Sequence, residues 1–216
     1  MPLNVNMVDK LKKLKYDNSI PPAQKKKINI VNDTMFGDDV TNIMMPTPPS
    51  NESLRTYKEL EYLSELPEND VFVKQNDDIS SVFENLCKKL DIEFPSDNIK
   101  NIIKQSSAVI LYYKWIFNRP RPTQLASLYQ INIGDYFKLE SMETPAYPSG
   151  HSTQGYLIAG FLSKLYPEHE NTFIKVAEDI SYSRQVARAH YPSDSEAGKQ
   201  LGITLLGMMY EKDQNS

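Results

Sequence analysis

Residues 145–166, PAYPSGHSTQGYLIAGFLSKLY, pass from a proline-punctuated stretch into an apolar run that reads as a buried helix. Pro148-Ser149-Gly150-His151 stands at its entrance. A serine here can accept a hydrogen bond from a free N–H of the first turn, and a glycine can relieve the turn. The histidine, taken alone, reads as an ordinary surface residue. Four residues with such local uses mark a helix start and nothing more. Chemistry at this place requires partners elsewhere in the chain.

Working outward, the same helical grammar recurs. Leu54, Tyr57, Leu60 and Leu63 recur at three-residue steps, and Pro67 follows as a stop. Phe72, Ile79, Phe83, Leu86 and Leu90 mark one further helical region up to Pro95. Ser96 or Asp97 caps a third helix, in which Ile99, Ile102, Ile103, Ser106, Val109, Ile110 and Tyr113 form a wide apolar face ending near Phe117; Pro120 and Pro122 end it. Helices are expected from about His151 to Tyr166, from about Glu168 to Arg188, and from Pro192 onward. No strand alternation and no internal repeat are visible. The expected fold class is all-α, a single-domain helical bundle over residues 51–216. Residues 1–50 hold six of the 14 prolines and no sustained periodicity, so they are expected as an N-terminal arm or a set of loops. The run Lys25-Lys26-Lys27 within them reads as a solvated loop, contact with an anionic partner being the alternative.

Composition narrows the function. A chain of 216 residues supports one well-buried core, and a net charge of -4 argues against nucleic-acid binding, which shows as a basic excess. No stretch approaches the ~18 apolar residues of a membrane span, so a soluble protein is expected. MPLNVNMVDKLKKLKYDN has no apolar run after its charges and does not resemble a secretory signal. A cytoplasmic location is therefore the expectation, export staying open if a leader has been removed. The single cysteine, Cys87, falls in the helical pattern VFENLCKKL and reads as a small buried apolar residue. No cluster has metal-ligand spacing.

Two more segments carry paired charges. In KWIFNRPRP, residues 114–122, Lys114 ends the third helix and Arg121-Pro122 lies seven positions later; by itself this is a cationic helix C-terminus suited to the helix dipole. In SRQVARAHYPSD, residues 183–194, Pro192 suits the first position of a helix and Asp194 falls in its first turn, a capping arrangement when taken alone.

Together the three segments resemble the family that joins type 2 phosphatidic acid phosphatases, class A non-specific acid phosphatases and vanadium haloperoxidases. Its signature is Lys, six residues, Arg-Pro; then Pro-Ser-Gly-His; then Ser-Arg, five residues, His, three residues, Asp. Here the positions are Lys114, Arg121-Pro122, Pro148-Ser149-Gly150-His151, Ser183-Arg184, His190 and Asp194, with order and internal spacing intact. Arg119-Pro120 duplicates Arg121-Pro122, and spacing favours Arg121. The resemblance covers roughly residues 106–210 and comes nearest the class A acid phosphatases.

The resemblance implies a metal-independent phosphomonoester hydrolase acting through a phosphohistidine. Lys114, Arg121 and Arg184 would hold the charge of a phosphate, the arginines with planar forks. Ser149 and Gly150 would add donors at a helix N-terminus, where anions are favoured. His190 would attack phosphorus, Asp194 would orient it, and His151 would protonate the leaving alkoxide and later activate water. The third histidine, His169, reads as solvated. No cofactor is implied. Vanadate enters only under the alternative of a vanadium-dependent haloperoxidase, a class of much larger chains, and a lipid phosphate phosphatase is a third option. The implied partners are small-molecule phosphate esters, with no nucleic acid and no membrane span; a homo-oligomer stays open.

Overall fold

The computed structural model describes residues 5–134 and 139–214. Among these the regular structure is entirely helical, as the apolar spacings imply. Ten α-helices are described: α1 (Val5–Lys13), α2 (Pro22–Ile28), α3 (Leu54–Glu65), α4 (Asp70–Gln75), α5 (Ile79–Leu90), α6 (Ser96–Phe117), α7 (Pro122–Tyr129), α8 (Gly150–Leu165), α9 (Glu170–Val186) and α10 (Pro192–Gln214).

The core forms where the long helices turn their apolar faces on one another. Ile99, Ile102, Val109 and Tyr113 of α6 meet Leu157, Ile158 and Leu162 of α8, Phe173, Ala177 and Ile180 of α9, and Leu201 and Leu205 of α10. Phe83 and Cys87 of α5 close the same cluster, each fully buried, Cys87 in the role its sequence context suggests. Burial of side chains of this size contributes about 1.5–3 kcal/mol each, enough in sum to fix the relative positions of the helix ends. α8 packs most extensively against α9 and α10. Gly198 of α10 permits the closest part of that contact, because a Cβ there would lie 2.5 Å from the Ser149 carbonyl oxygen and 2.8 Å from Ser152 Cβ. The N-terminus of α8 is thereby set against the first turns of α10.

Three features depart from the expectations. The region from Phe72 to Leu90 is two helices, since Asn76-Asp77-Asp78 interrupts it. Asn69 caps α4 by accepting from Phe72 N at 3.0 Å, and Asp78 caps α5 by accepting from Ser81 N at 3.1 Å. Pro122 is a start as well as a stop: α6 ends with Asn118 in the left-handed conformation, and Pro122 then takes the first position of α7, where its missing N–H costs nothing. Gln124 Oε1 accepts from Arg121 N at 2.8 Å and fixes that entry. Finally, the first fifty residues include α1 and α2 and supply core side chains: Leu11, Val31, Phe36 and Val40 are buried. Lys25-Lys26-Lys27 is the exposed end of α2.

No described helix is long and apolar enough to cross a membrane.

Candidate active site

Three helix junctions converge on one cleft of about 310 Å³. The end of α6 brings Lys114, the start of α8 brings Gly150 and His151, and the turn between α9 and α10 brings His190; all four line the cleft. Arg121, at the entry of α7, lies against His190 with Nη1 3.0 Å from Nε2. Arg184, in the last turn of α9, lies near His151 with Nη1 3.4 Å from Nε2. Segments more than 70 residues apart in the chain thus meet, which the sequence signature places in order but not in space.

The α9–α10 turn positions His190. Arg188 adopts the left-handed conformation there, φ 55°, and its buried guanidinium donates to the carbonyls of Ile133, Val186 and Leu66. Non-glycine residues take this conformation only when their surroundings insist. One turn on, Asp194 is wholly buried. Its Oδ2 accepts from Tyr191 N at 2.9 Å and faces His190 Nδ1 at 3.4 Å, while its backbone oxygen accepts from Ser149 N at 2.9 Å. Ser149 itself is fully buried as the cap of α8, its Oγ accepting from Ser152 N at 3.3 Å and from Ser152 Oγ at 3.0 Å. Gly150, at the first helical position, faces the cleft instead.

Cationic side chains are packed more tightly here than water-exposed charges would be. Lys114 is 4% exposed and donates to the Pro145 carbonyl; burial, then the neighbouring Arg121, pushes its pKa well down. Arg121 donates to Thr144 O at 2.8 Å, Ala189 O at 2.6 Å and Ser141 O at 2.7 Å, and burial lowers it to about 10. Burial and the charges of Arg121 and Lys114 hold His190 well below the ordinary histidine value. His151 is also lowered, by burial first; Asp77 pulls it up and Arg184 down. Cations that depress one another in a desolvated cleft favour an anion among them.

Arg119 belongs to a different network from its near-duplicate. It is 2% exposed, and its Nη1 donates to Asp194 Oδ1 at 2.5 Å and Ser193 Oγ at 2.8 Å, while Nη2 pairs with Glu59 Oε2 at 3.1 Å. Glu59 also accepts from Ser193 N and Oγ, both at 2.9 Å. Burial opposes the Arg119 charge, but Asp194, Tyr191 and Glu59 outweigh it and raise its pKa. Spacing sets Arg119 aside in favour of Arg121, and neither Glu59 nor Asp77 carries a motif in the sequence. Asp77, between α4 and α5, accepts from Arg184 Nη1 at 2.6 Å and lies 3.3 Å from His151 Nε2. The hydrogen bond with His151 and the Arg184 partner carry its pKa down to about 2 against the cost of burial. His169 lies outside the cleft, edge-on to Phe173. Among the described residues no group of three or more His, Cys, Asp or Glu side chains is placed to hold a metal ion.

A profile of the PAP2 superfamily matches residues 101–216, more than half of the chain and all of the cleft's signature residues, and the chain belongs to that superfamily. Shorter stretches are similar to acid phosphatases. A non-specific acid phosphatase of Salmonella typhimurium is 37% identical over 57 residues, 26% of this chain and 23% of that protein. An acid phosphatase of Zymomonas mobilis is 40% identical over 53 residues, 24% and 20% of the two chains. A non-specific acid phosphatase of Providencia stuartii is 30% identical over 83 residues, 38% and 33% of the two. The chain thus spans about a third or less of the length of each of these relatives.

Proposed function

We propose that the chain is a metal-independent phosphomonoester hydrolase of the acid phosphatase type, acting on small phosphate esters through a phosphohistidine. The observation that carries this reading is the convergence of Lys114, Arg121 and Arg184 on two histidines of different surroundings, one of them paired with a buried aspartate. The named relatives are acid phosphatases, which supports the same class.

The chemistry follows from the positions. A phosphate monoester carries its charge on non-bridging oxygens, and transfer of the phosphoryl group is helped chiefly by positioning and fixed charge. Lys114, Arg121 and Arg184 supply that charge. The first-turn N–H groups of Gly150 and His151, on the cleft at the start of α8, are placed to favour an anion, while Ser149 fixes that turn by accepting from Ser152 N. His190, held neutral by burial and nearby cations, turns Nδ1 to Asp194, which leaves Nε2 unprotonated; its lone pair faces Arg121 Nη1 at 3.0 Å and attacks phosphorus once the phosphate takes over that N–H. As the N–P bond forms, the P–O bond to the leaving group breaks. Asp194 stabilises the positive ring so produced, and His151 gives its proton to the departing alkoxide. Water then attacks phosphorus and loses its proton to His151. The P–N bond breaks, its electrons return to Nε2, and phosphate leaves.

A panel of aryl, sugar, nucleotide and lipid phosphates, run with and without EDTA beside a bromide-plus-peroxide assay containing vanadate, tests the class. Hydrolysis of small esters, unchanged by EDTA and competitively inhibited by vanadate, is expected. Loss of hydrolysis on metal removal, or halide oxidation in place of hydrolysis, would refute it.

A further inference from the structure

We propose that Asp77 is the positioning residue for His151, holding the imidazole by one nitrogen so that the other is presented to the leaving group. This rests on the reading of His151 as the general acid. His151 Nε2 lies 3.0 Å from the Asp77 backbone oxygen and 3.3 Å from its Oδ1. A carbonyl oxygen only accepts, so Nε2 carries a proton and Nδ1 is the atom left for proton transfer. Arg184 Nη1, 3.4 Å from Nε2, cannot accept that proton because a guanidinium only donates. Asp77 alone among these neighbours sets the ring's tautomer and direction.

The arrangement repeats, on the other side of the cleft, the logic by which Asp194 serves His190: a carboxylate on one ring nitrogen, chemistry on the other. It differs in its support. Asp77 stands on the turn between α4 and α5 with 44% of its side chain exposed, and its Oδ1 also takes the Arg184 Nη1–H at 2.6 Å. One carboxylate therefore couples the proposed acid to one of the proposed phosphate-binding cations. An anionic partner favours the protonated ring, the form a general acid needs, whereas Arg184 favours the neutral one. The other charged or titratable groups lining the cleft are Lys27 of α2, Lys114 of α6, His190 of the α9–α10 turn, and Glu140 and Glu143.

Asp77→Asn keeps the size, the backbone carbonyl and a side-chain oxygen able to accept from Arg184 while removing the charge; Asp77→Ala removes the side-chain acceptor as well. Two measurements on the full chain decide the proposal. Imidazole titration by NMR, with the three histidines assigned by substitution, should show His151 titrating at lower pH in Asp77→Asn than in the parent. Single-turnover phosphorylation should slow by about 10-fold or more beyond any slowing seen with p-nitrophenyl phosphate when the ester is an alkyl phosphate, because the phenolate needs little protonation, whereas the Arg184 contact serves both esters alike. Asp77→Ala should show the same pattern at least as strongly. An unshifted His151 titration, or equal slowing with both esters, would overturn the proposal. Absence of phosphorylation by either ester in the parent would instead remove the phosphatase reading, and the titration would still decide whether Asp77 holds the ring.

Discussion

The two histidines of the cleft each meet a carboxylate, and the two pairs are built differently. His190 and Asp194 are 2% and 0% exposed. They sit four residues apart across one tight turn, and Asp194 is held in addition by Arg119, which Glu59 and Ser193 hold in turn. His151 meets Asp77 across 74 residues, on a partly exposed turn whose neighbours are helix caps. The difference matches what the two proposed roles demand. A nucleophile must meet phosphorus at one distance and angle for every substrate, so its ring is fixed from several sides by the core. A general acid must reach leaving groups of differing size, and a partner on a surface turn leaves it room to adjust.

The most severe way to break this contrast is to remove the deep support. Arg119→Ala leaves Asp194 and Glu59 as buried carboxylates without their shared cation, which should cost about 3–5 kcal/mol of stability in denaturant unfolding. Spacing in the sequence sets Arg119 aside as the mere duplicate of Arg121; its burial and partners make it the costlier residue to lose for the fold. A cost under about 1 kcal/mol, the range of exposed ion pairs, would mean that the His190 side is no better anchored than the His151 side.

A milder effect is expected on the other side. The pKa of Asp77 in the folded chain is lowered from 3.8 to about 2, so its ionised form contributes stability above about pH 4 that is lost as pH falls toward 2. Solvent reaches nearly half of the group, which limits the gain to below about 1 kcal/mol. The parent should therefore be slightly more stable than Asp77→Asn at neutral pH, and the two should converge as pH falls to 2, followed by unfolding at a series of pH values. A difference that grows on acidification would contradict the sign.

The contrast also explains what could be read from the sequence. The helices betray themselves through local chemistry: apolar recurrence along residues 96–117, the Ser149 cap and Pro192 at a helix start are all short-range signals. Pro122 reads only as a stop in the sequence, whereas a proline that stops one helix can also open the next, as it does for α7. The His190–Asp194 pair and its companions are legible because their spacing is fixed within single segments. Arg119–Glu59 spans 60 residues and Asp77–Arg184 spans 107. The apolar spacing runs across Asn76-Asp77-Asp78 and hides the turn there, and nothing nearby in the chain says that this turn folds over Arg184. Likewise, buried Phe36 and Val40 lie in a proline-rich stretch whose lack of periodicity hides its contact with the core.

The central claim is that phosphorus is carried on His190. Mixing the chain with p-nitrophenyl phosphate, quenching in base within one turnover and mapping the product by mass spectrometry tests it most directly, because a phosphoramidate survives base. Phosphate should be found on His190 in the parent and in His151→Ala, and on no residue in His190→Ala, which should also lose turnover of every ester. Phosphate on another residue, or turnover retained by His190→Ala, would contradict the account.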